Sequence, residues 1–378
     1  MKKHFLITPG PTPIPPQVAQ KESLPILHHR TEEFGKIFLE AIEGMKYIFK
    51  TKNDTFIMAS SGTGAMESAI VNLLSPGDEV LVTTSGVFGS RWGKICEAYG
   101  IKPAILEAEW GKCVAPEAIK KELEKNPKIK VVFTTHTETS TGIVNDLKAI
   151  GEIVSKTSAV LVVDAISGLA GQDLCTDDWK LDVVVSGSQK GLMCAPGLAF
   201  ATVSAKAWPL VEAAKLPRFY WDYRKMKKSV ENKETPFTPA VTLIVSLNEA
   251  INMIKEQGID NIFQKTQKLA NATRAALKAM NLELYADASC ACNVLTSAKV
   301  PEGVDGGKIV KMLRQEYGIS IAGGQDKLKG KIIRLAHMGY IDQFDLFVAY
   351  AGLEMVLTKL GHKLEPGKAS AEAERILA

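Results

Sequence analysis

Two short runs of β-branched and aliphatic residues constrain this chain more than anything else in it. Ala159-Val160-Leu161-Val162-Val163 ends in Asp164, and Val183-Val184-Val185 runs into Ser186-Gly187-Ser188-Gln189-Lys190-Gly191. Apolar runs of this length, without polar alternation, suit strands buried on both faces, the condition of a parallel sheet covered by helices. Each run then stops at an ionisable residue. A lone lysine after a strand is ordinarily a solvated surface residue. An acid at the end of one central strand and a lysine at the end of another are harder to dismiss, because ligands of open α/β sheets gather at that edge.

The rest of the chain supports such a sheet. With 378 residues, 46% hydrophobic and 23% charged, it fills one large and one small domain with ample core. A helix is expected from Thr31 to Phe49, on the spacing of Phe34, Ile37, Phe38, Ile42, Met45 and Ile48. Strands and helices then alternate: 55–59, a helix over 63–74, 79–84, a helix containing 92–99, a helical stretch over 117–123, 131–133, a helix over 147–154, then the two runs above and a strand over 198–203. Residues 215–239 read as irregular, and helices over 244–254 and 262–280 lead out of the sheet. A compact α/β unit follows, with strands over 293–297, 319–322 and 332–336 and helices over 308–317 and 344–360. The expected division is an N-terminal arm over 1–20, extended because of its prolines, a large domain over 21–260 and a small one over 261–378, with a polar tail that frays after Gly361.

Several loops fall at predicted strand ends. Ser61-Gly62-Thr63-Gly64 joins the first core strand to a helix, and backbone N–H groups of such a turn suit a phosphate, although similar turns also cap helices without a ligand. It is neither a mononucleotide loop nor the dinucleotide fingerprint. Phe88, between Gly86 and Gly89, suits packing on a planar ring or into the core. His136-Thr137-Glu138-Thr139-Ser140-Thr141-Gly142 is crowded with hydroxyls, as turns also are. Arg334, inside the apolar strand 332–335, needs an anion, either a substrate carboxylate or a structural acid. The Lys190 and Asp164 pair is what a pyridoxal phosphate enzyme requires: a lysine for the Schiff base and an acid that keeps the pyridine nitrogen protonated.

These motifs together resemble the class V, fold-type I pyridoxal phosphate enzymes, and most of all the alanine–glyoxylate and serine–glyoxylate (serine–pyruvate) aminotransferases. The resemblance runs in order through Pro9-Gly10-Pro11, Ser61-Gly62-Thr63-Gly64, Glu138-Thr139-Ser140-Thr141-Gly142, Val163-Asp164-Ala165, Ser186-Gly187-Ser188-Gln189-Lys190, Thr235-Pro236-Phe237-Thr238-Pro239, and Arg334 with Gly339 after it. It implies a large domain with a mostly parallel, seven-stranded sheet and a small C-terminal α/β domain. It implies pyridoxal 5'-phosphate as cofactor, Lys190 as the Schiff-base lysine and Asp164 as partner of the pyridine nitrogen. Phe88 would stack on the cofactor ring, where relatives often carry tryptophan. Gly62, Thr63, Gly64 and Gln189 would surround the phosphate, joined by Thr238 and Thr235 across a homodimer interface; Thr235 stands where some relatives have tyrosine. Thr139 would touch the cofactor or substrate. Arg334 would take the amino acid's carboxylate, with Gly10 beside the substrate. The implied reaction moves an amino group from alanine or serine to glyoxylate or pyruvate in ping-pong fashion.

Two rivals share the fold. A cysteine desulfurase would use Ser289-Cys290-Ala291-Cys292, but that pattern has a histidine before the Schiff-base lysine, where this chain has Gln189, and another over the ring, where it has Phe88. A 2-aminoethylphosphonate–pyruvate aminotransferase would use Arg334 equally well. Partners other than a small amino acid, a 2-oxo acid and a second copy of the chain are not expected. The net charge of +4 is spread along the chain, and its one basic cluster, Arg218 to Lys228, reads as a solvated loop near a site for anions rather than a nucleic-acid surface. Six cysteines without CxxC spacing suit a reducing compartment, so the cytoplasm is the expected location, and no metal site is expected. Phe5-Leu6-Ile7 is too short for the core of a signal peptide, and no segment has the length of a membrane span.

Overall fold

The structure, a computed structural model, describes residues 2–378. A short strand β1 (Phe5–Leu6) and helices α1 (Pro16–Glu22) and α2 (Glu32–Phe49) come first. The main α/β run is β2 (Asp54–Ala59), α3 (Gly62–Leu73), β3 (Val80–Thr84), α4 (Val87–Ala98), β4 (Ala104–Glu107), α5 (Pro116–Lys125) and β5 (Val131–Thr135). It continues through the hairpin β6 (Thr137–Glu138) and β7 (Ile143–Val144), α6 (Leu147–Val154), β8 (Val160–Asp164), β9 (Val183–Gly187) and β10 (Leu198–Val203). Helices α7 (Trp208–Ala213), α8 (Tyr223–Glu231), α9 (Val241–Gln257) and α10 (Ile259–Ala279) follow. The C-terminal part holds β11 (Leu295–Lys299), α11 (Gly306–Met312) with a π-helical turn over Leu313–Tyr317, β12 (Ile319–Ser320), β13 (Ala322–Gly323), β14 (Ile332–Ala336), α12 (Gln343–Lys359) and α13 (Lys368–Leu377).

Seven strands form one sheet in the order β2-β10-β9-β8-β5-β3-β4. Only β10 runs against its neighbours, so β2, β9, β8, β5 and β3 all end at one edge. Register aligns Thr135 with Asp164 and Asp164 with Val185, which brings the loops after three central strands together. Alternate residues of these strands point to opposite faces. Leu161, Val163, Val184 and Val132 pack with Phe34, Phe38 and Ile42 of α2 and Leu247 and Ile251 of α9. Val160, Val162, Val183 and Val185 pack with Met66 and Ile70 of α3 and Trp92 of α4. Each such fully buried side chain contributes roughly 1.5–3 kcal/mol, which holds the strand ends rigid under the loops they carry.

A second core gathers around the antiparallel sheet β11-β14-β13, covered by α10, α12 and α13. The N-terminus belongs to it: β1 pairs with β12, and Ile7 bonds to Ser320 and Ala336 before the chain crosses towards Lys190.

Four expectations fail in informative ways. The arm is not extended throughout, because Pro16 starts α1 at a position where a missing N–H costs nothing. Residues 215–239 contain α8, whose Asp222 cap accepts from Arg224 N at 3.1 Å and whose Tyr223 and Met226 are buried. The basic cluster is correspondingly engaged: Arg218 donates to the carbonyls of Val71, Val211 and Ala214, Arg224 pairs with Asp222, and Lys227 pairs with Asp54. The tail does not fray. Its residues form α13, whose first N–H groups are taken by the Glu354 carboxylate of α12 at 2.8 and 3.0 Å. Finally, the strand expected over 319–322 divides, one half pairing with β1 and the other with β14.

Candidate active site

Asp164, the last residue of β8, is buried, and its carboxylate accepts the Ile166 N–H at 2.8 Å. Burial pushes its pKa up to about 7. The Ile166 N–H pulls down, the nearby Glu138 carboxylate pushes up further, and Arg91 and Lys190 pull down. Lys190 leaves the turn after β9, and its Nζ donates to the Pro9 carbonyl. Burial lowers the lysine's pKa to about 8; Asp164 opposes that shift, and Arg334 and Arg91 add to it. The amine therefore gives up its proton far more readily than a free lysine, the direction a nucleophilic lysine requires. The arm reinforces this arrangement. Thr12 N donates to Gln189 O at 3.1 Å and Thr12 Oγ1 to Lys190 O at 2.8 Å. Gly10, at a φ of +122°, lies so close that any Cβ there would collide with the Lys190 side chain.

The phosphate-turn residues stand at the start of α3. Ser61 is its N-cap but makes no side-chain cap, which leaves the first N–H groups of the helix available to an anion. Gln189 turns its amide back to this turn: a Cβ on Gly187 would sit 3.0 Å from Gln189 Oε1 and 3.3 Å from Gly62 N. Gln189 Oε1 is buried without a partner. Phe88, half-buried in the first turn of α4, has the Arg91 guanidinium 4.9 Å from its ring centroid, and Arg91 Nη1 donates to Thr63 Oγ1 at 3.0 Å. Arg91 thus links two expected site residues without having been singled out in the sequence. Its signal was its place three residues after Phe88, on the same helix face.

Arg334, on the central strand of the small sheet, is 4% exposed. Its partners are backbone carbonyls: Nε and Nη2 donate to Gly323 O at 3.0 and 2.7 Å, and Nη1 donates to Thr139 O at 2.6 Å. Of five guanidinium N–H groups, two remain, one on each terminal nitrogen, the fork that grips a carboxylate. Burial lowers its pKa to about 10, so it stays charged at neutral pH. Thr139 is buried, with Ser167 Oγ 3.5 Å from its hydroxyl.

Thr235 and Thr238 are not joined to this group by any hydrogen bond. The Thr235 hydroxyl donates to Phe237 O at 2.7 Å, and Thr238 is exposed. Cys290 and Cys292 are buried thiols; burial raises that of Cys290 to about 12 and that of Cys292 to about 11. Among the described residues, no three His, Cys, Asp or Glu side chains converge as a metal-ligand set.

The sequence profile of the family described as Aminotransferase class-V matches residues 4–337. The chain belongs to the class V aminotransferases. It is therefore a transaminase, and the cofactor of the family is pyridoxal 5'-phosphate. The site fits that group: an uncapped helix start suits its phosphate, a buried acid its ring nitrogen, and a half-buried amine its aldehyde. Over 380 residues the chain is 44% identical to the soluble hydrogenase small subunit of Synechococcus sp. (strain PCC 6716), covering 100% of this chain and 99% of that one. It is 35% identical to the serine–glyoxylate aminotransferase of Hyphomicrobium methylovorum, covering 97% of this chain and 93% of that one. Among solved structures it resembles the ureidoglycine–glyoxylate aminotransferase of Bacillus subtilis with a TM-score of 0.96 at 32% identity, covering 100% and 98% of the two chains.

Proposed function

We propose that this transaminase moves the amino group of a small L-amino acid, serine or alanine, to glyoxylate or pyruvate. The observation that carries the reading is Asp164 at the end of β8 beside Lys190 in the turn after the neighbouring parallel strand β9, with Arg334 close enough to lower the lysine's pKa. Glyoxylate as acceptor is favoured by the names of the aminotransferase relatives, which differ in their donors. Pyridoxal phosphate, when bound, supplies the electron sink that makes an amino acid's α-proton acidic.

The chain's own residues do the rest. Gly62 and Thr63 N–H groups, with the amide NH2 of Gln189, would hold the phosphate at the start of α3. Asp164 holds a proton on the ring nitrogen, and the cation it thereby stabilises keeps the carboxylate ionised despite its burial. Phe88 packs on the ring. Arg334 orients the donor by its carboxylate and Gly10 leaves room beside the amine, while Thr139 bonds cofactor or substrate. Lys190 Nζ, when uncharged, would take up and release the donor's α-proton, as a base with a pKa near the working pH does best. Because donor and acceptor use the same Arg334 fork, they bind in turn, and ping-pong kinetics follow.

The protein acts as a homodimer in the cytoplasm on this reading. Phe219 and Tyr220 are exposed and pack against Phe237, so an apolar surface lies beside Thr235 and Thr238. Pairing across it would carry those threonines to the partner's phosphate. No helix among the described residues is long and apolar enough to cross a membrane. The boundaries 1–20, 21–260 and 261–378 accompany the proposal as arm, cofactor domain and substrate-carboxylate domain.

The test is a panel of L-serine, L-alanine, L-aspartate and 2-aminoethylphosphonate against glyoxylate and pyruvate, following the keto product. Serine or alanine with glyoxylate is the expected pair. Turnover of the phosphonate alone would contradict the carboxylate role of Arg334. Dye-linked hydrogen uptake without any transamination would favour the Synechococcus relative's name instead; thiolate-held redox clusters need convergent cysteines, however, and the six here form no such set.

A further inference from the structure

The hydroxyl-rich loop after β5 contains one buried carboxylate to which the reaction above gives no task. Glu138 accepts four hydrogen bonds: Phe88 N at 3.0 Å and Gly89 N at 2.8 Å on Oε2, Ser140 N at 3.1 Å and Ser140 Oγ at 2.5 Å on Oε1. Ser140 Oγ in turn accepts Val87 N at 3.0 Å. Three successive N–H groups at the start of α4 are therefore capped by side chains from a different strand loop. The helix cannot cap itself, because its N-cap is Gly86, which has no side chain. Nor could it carry one: a Cβ on Gly86 would lie 2.6 Å from the Glu138 carboxyl carbon and run into Ser140 Oγ. Burial raises the Glu138 pKa, and the bonds from Ser140, Gly89 and Phe88 oppose that shift. Its four acceptor positions are nonetheless all filled by donors, so the acceptor-only anion is the form that fits, lying where the helix dipole favours negative charge.

The same loop carries Thr139, whose carbonyl holds Arg334, and the capped turn carries Phe88. We propose that Glu138 is a positioning residue for cofactor binding: it fixes the first turn of α4 against the Thr139 loop and so sets where the Phe88 ring lies. The proposal rests on the reading that Phe88 packs on the cofactor. An internal control exists in Glu354, which caps α13 in the same manner in the C-terminal part of the chain.

The experiment titrates apoprotein with pyridoxal 5'-phosphate, following protein fluorescence and the circular dichroism of the bound cofactor. The proteins are the wild type, Glu138→Gln, Phe88→Leu, their double variant and Glu354→Gln. In Glu138→Gln an NH2 group faces N–H donors, so affinity should fall at least tenfold and the cofactor's dichroic band should shrink. The double variant should bind no more than twofold more weakly than Phe88→Leu alone, and Glu354→Gln should bind as the wild type does. Additive losses, or unchanged affinity and dichroism in Glu138→Gln, overturn the proposal. If Glu138→Gln does not fold, Ser140→Ala takes its place, with a three- to fivefold loss expected that again vanishes in the Phe88→Leu background; persistence of that loss overturns it equally. A wild type that binds no cofactor would overturn the pyridoxal phosphate reading itself, whereas normal wild-type binding with additive variants overturns this inference alone.

Discussion

Two cations, half-buried Lys190 and buried Arg334, face the site from different sheets, and they are held in opposite ways. Lys190 comes from the edge of the large sheet on a flexible stem, with one carbonyl partner at Pro9 and a pKa brought down to about 8. Arg334 comes from the middle of the small sheet, clamped by two carbonyls through three N–H bonds, with a pKa of about 10. The first is built to lose its proton and move; the second is built to keep its charge and stay. The proposed roles of nucleophile and carboxylate receptor require that difference, and the lysine and arginine chemistries are not interchangeable.

The contrast is broken most severely at the mobile cation. Lys190→Ala should lower turnover by at least about a thousandfold, because the proposed function makes the amine both the attachment point and the base. Single-turnover formation of keto acid checks this, and cofactor retained through the phosphate turn would show that binding survives. Next in size is the acid that faces the lysine. Asp164→Asn should cost about 3–4 kcal/mol of transition-state stabilisation, read as a fall in kcat of roughly two to three orders of magnitude. At the fixed cation, Arg334→Lys keeps the charge and loses the fork. A drop in kcat/KM for L-serine and L-alanine of about ten- to a hundredfold, without change in cofactor affinity, is expected.

The smallest effect concerns stability and has the opposite sign. The Asp164 pKa rises from 3.8 to about 7 in the folded protein without cofactor. The folded state therefore retains a proton that the unfolded chain has released, and stability falls as pH climbs through that window. Asp164→Asn removes the penalty. Apoprotein of the variant should match the wild type near pH 4 and exceed it above pH 7, by on the order of 2–4 kcal/mol at most. Melting temperatures measured against pH check this, and a variant less stable than wild type at pH 8 would show that Asp164 is a structural acid.

Strands β8, β9, β10 and β14 were legible in the sequence because continuous apolar runs leave few alternatives, and Lys190, Asp164 and Arg334 stood out as charges at the ends or in the middle of such runs. What escaped notice lies where composition misleads locally. In α8, Tyr223, Met226 and Val230 follow helical spacing, but the aromatic and basic neighbours made the stretch read as a loop. In α13 the buried side is only Ala369 and Ala373, too small to register as an apolar face. Glu138 was visible as the one acid among hydroxyls, yet its bonds reach residues 88 and 89 across the sheet edge, a contact that only the parallel pairing of β3 and β5 creates.

The account turns on Lys190 as the amine that joins the cofactor. The direct measurement is borohydride reduction of the protein reconstituted with pyridoxal 5'-phosphate, followed by peptide mass spectrometry. The account predicts one modified peptide, with the reduced cofactor on Lys190 and none in Lys190→Ala. Label on another lysine at equal yield, or no label on a protein that still transaminates, would contradict it.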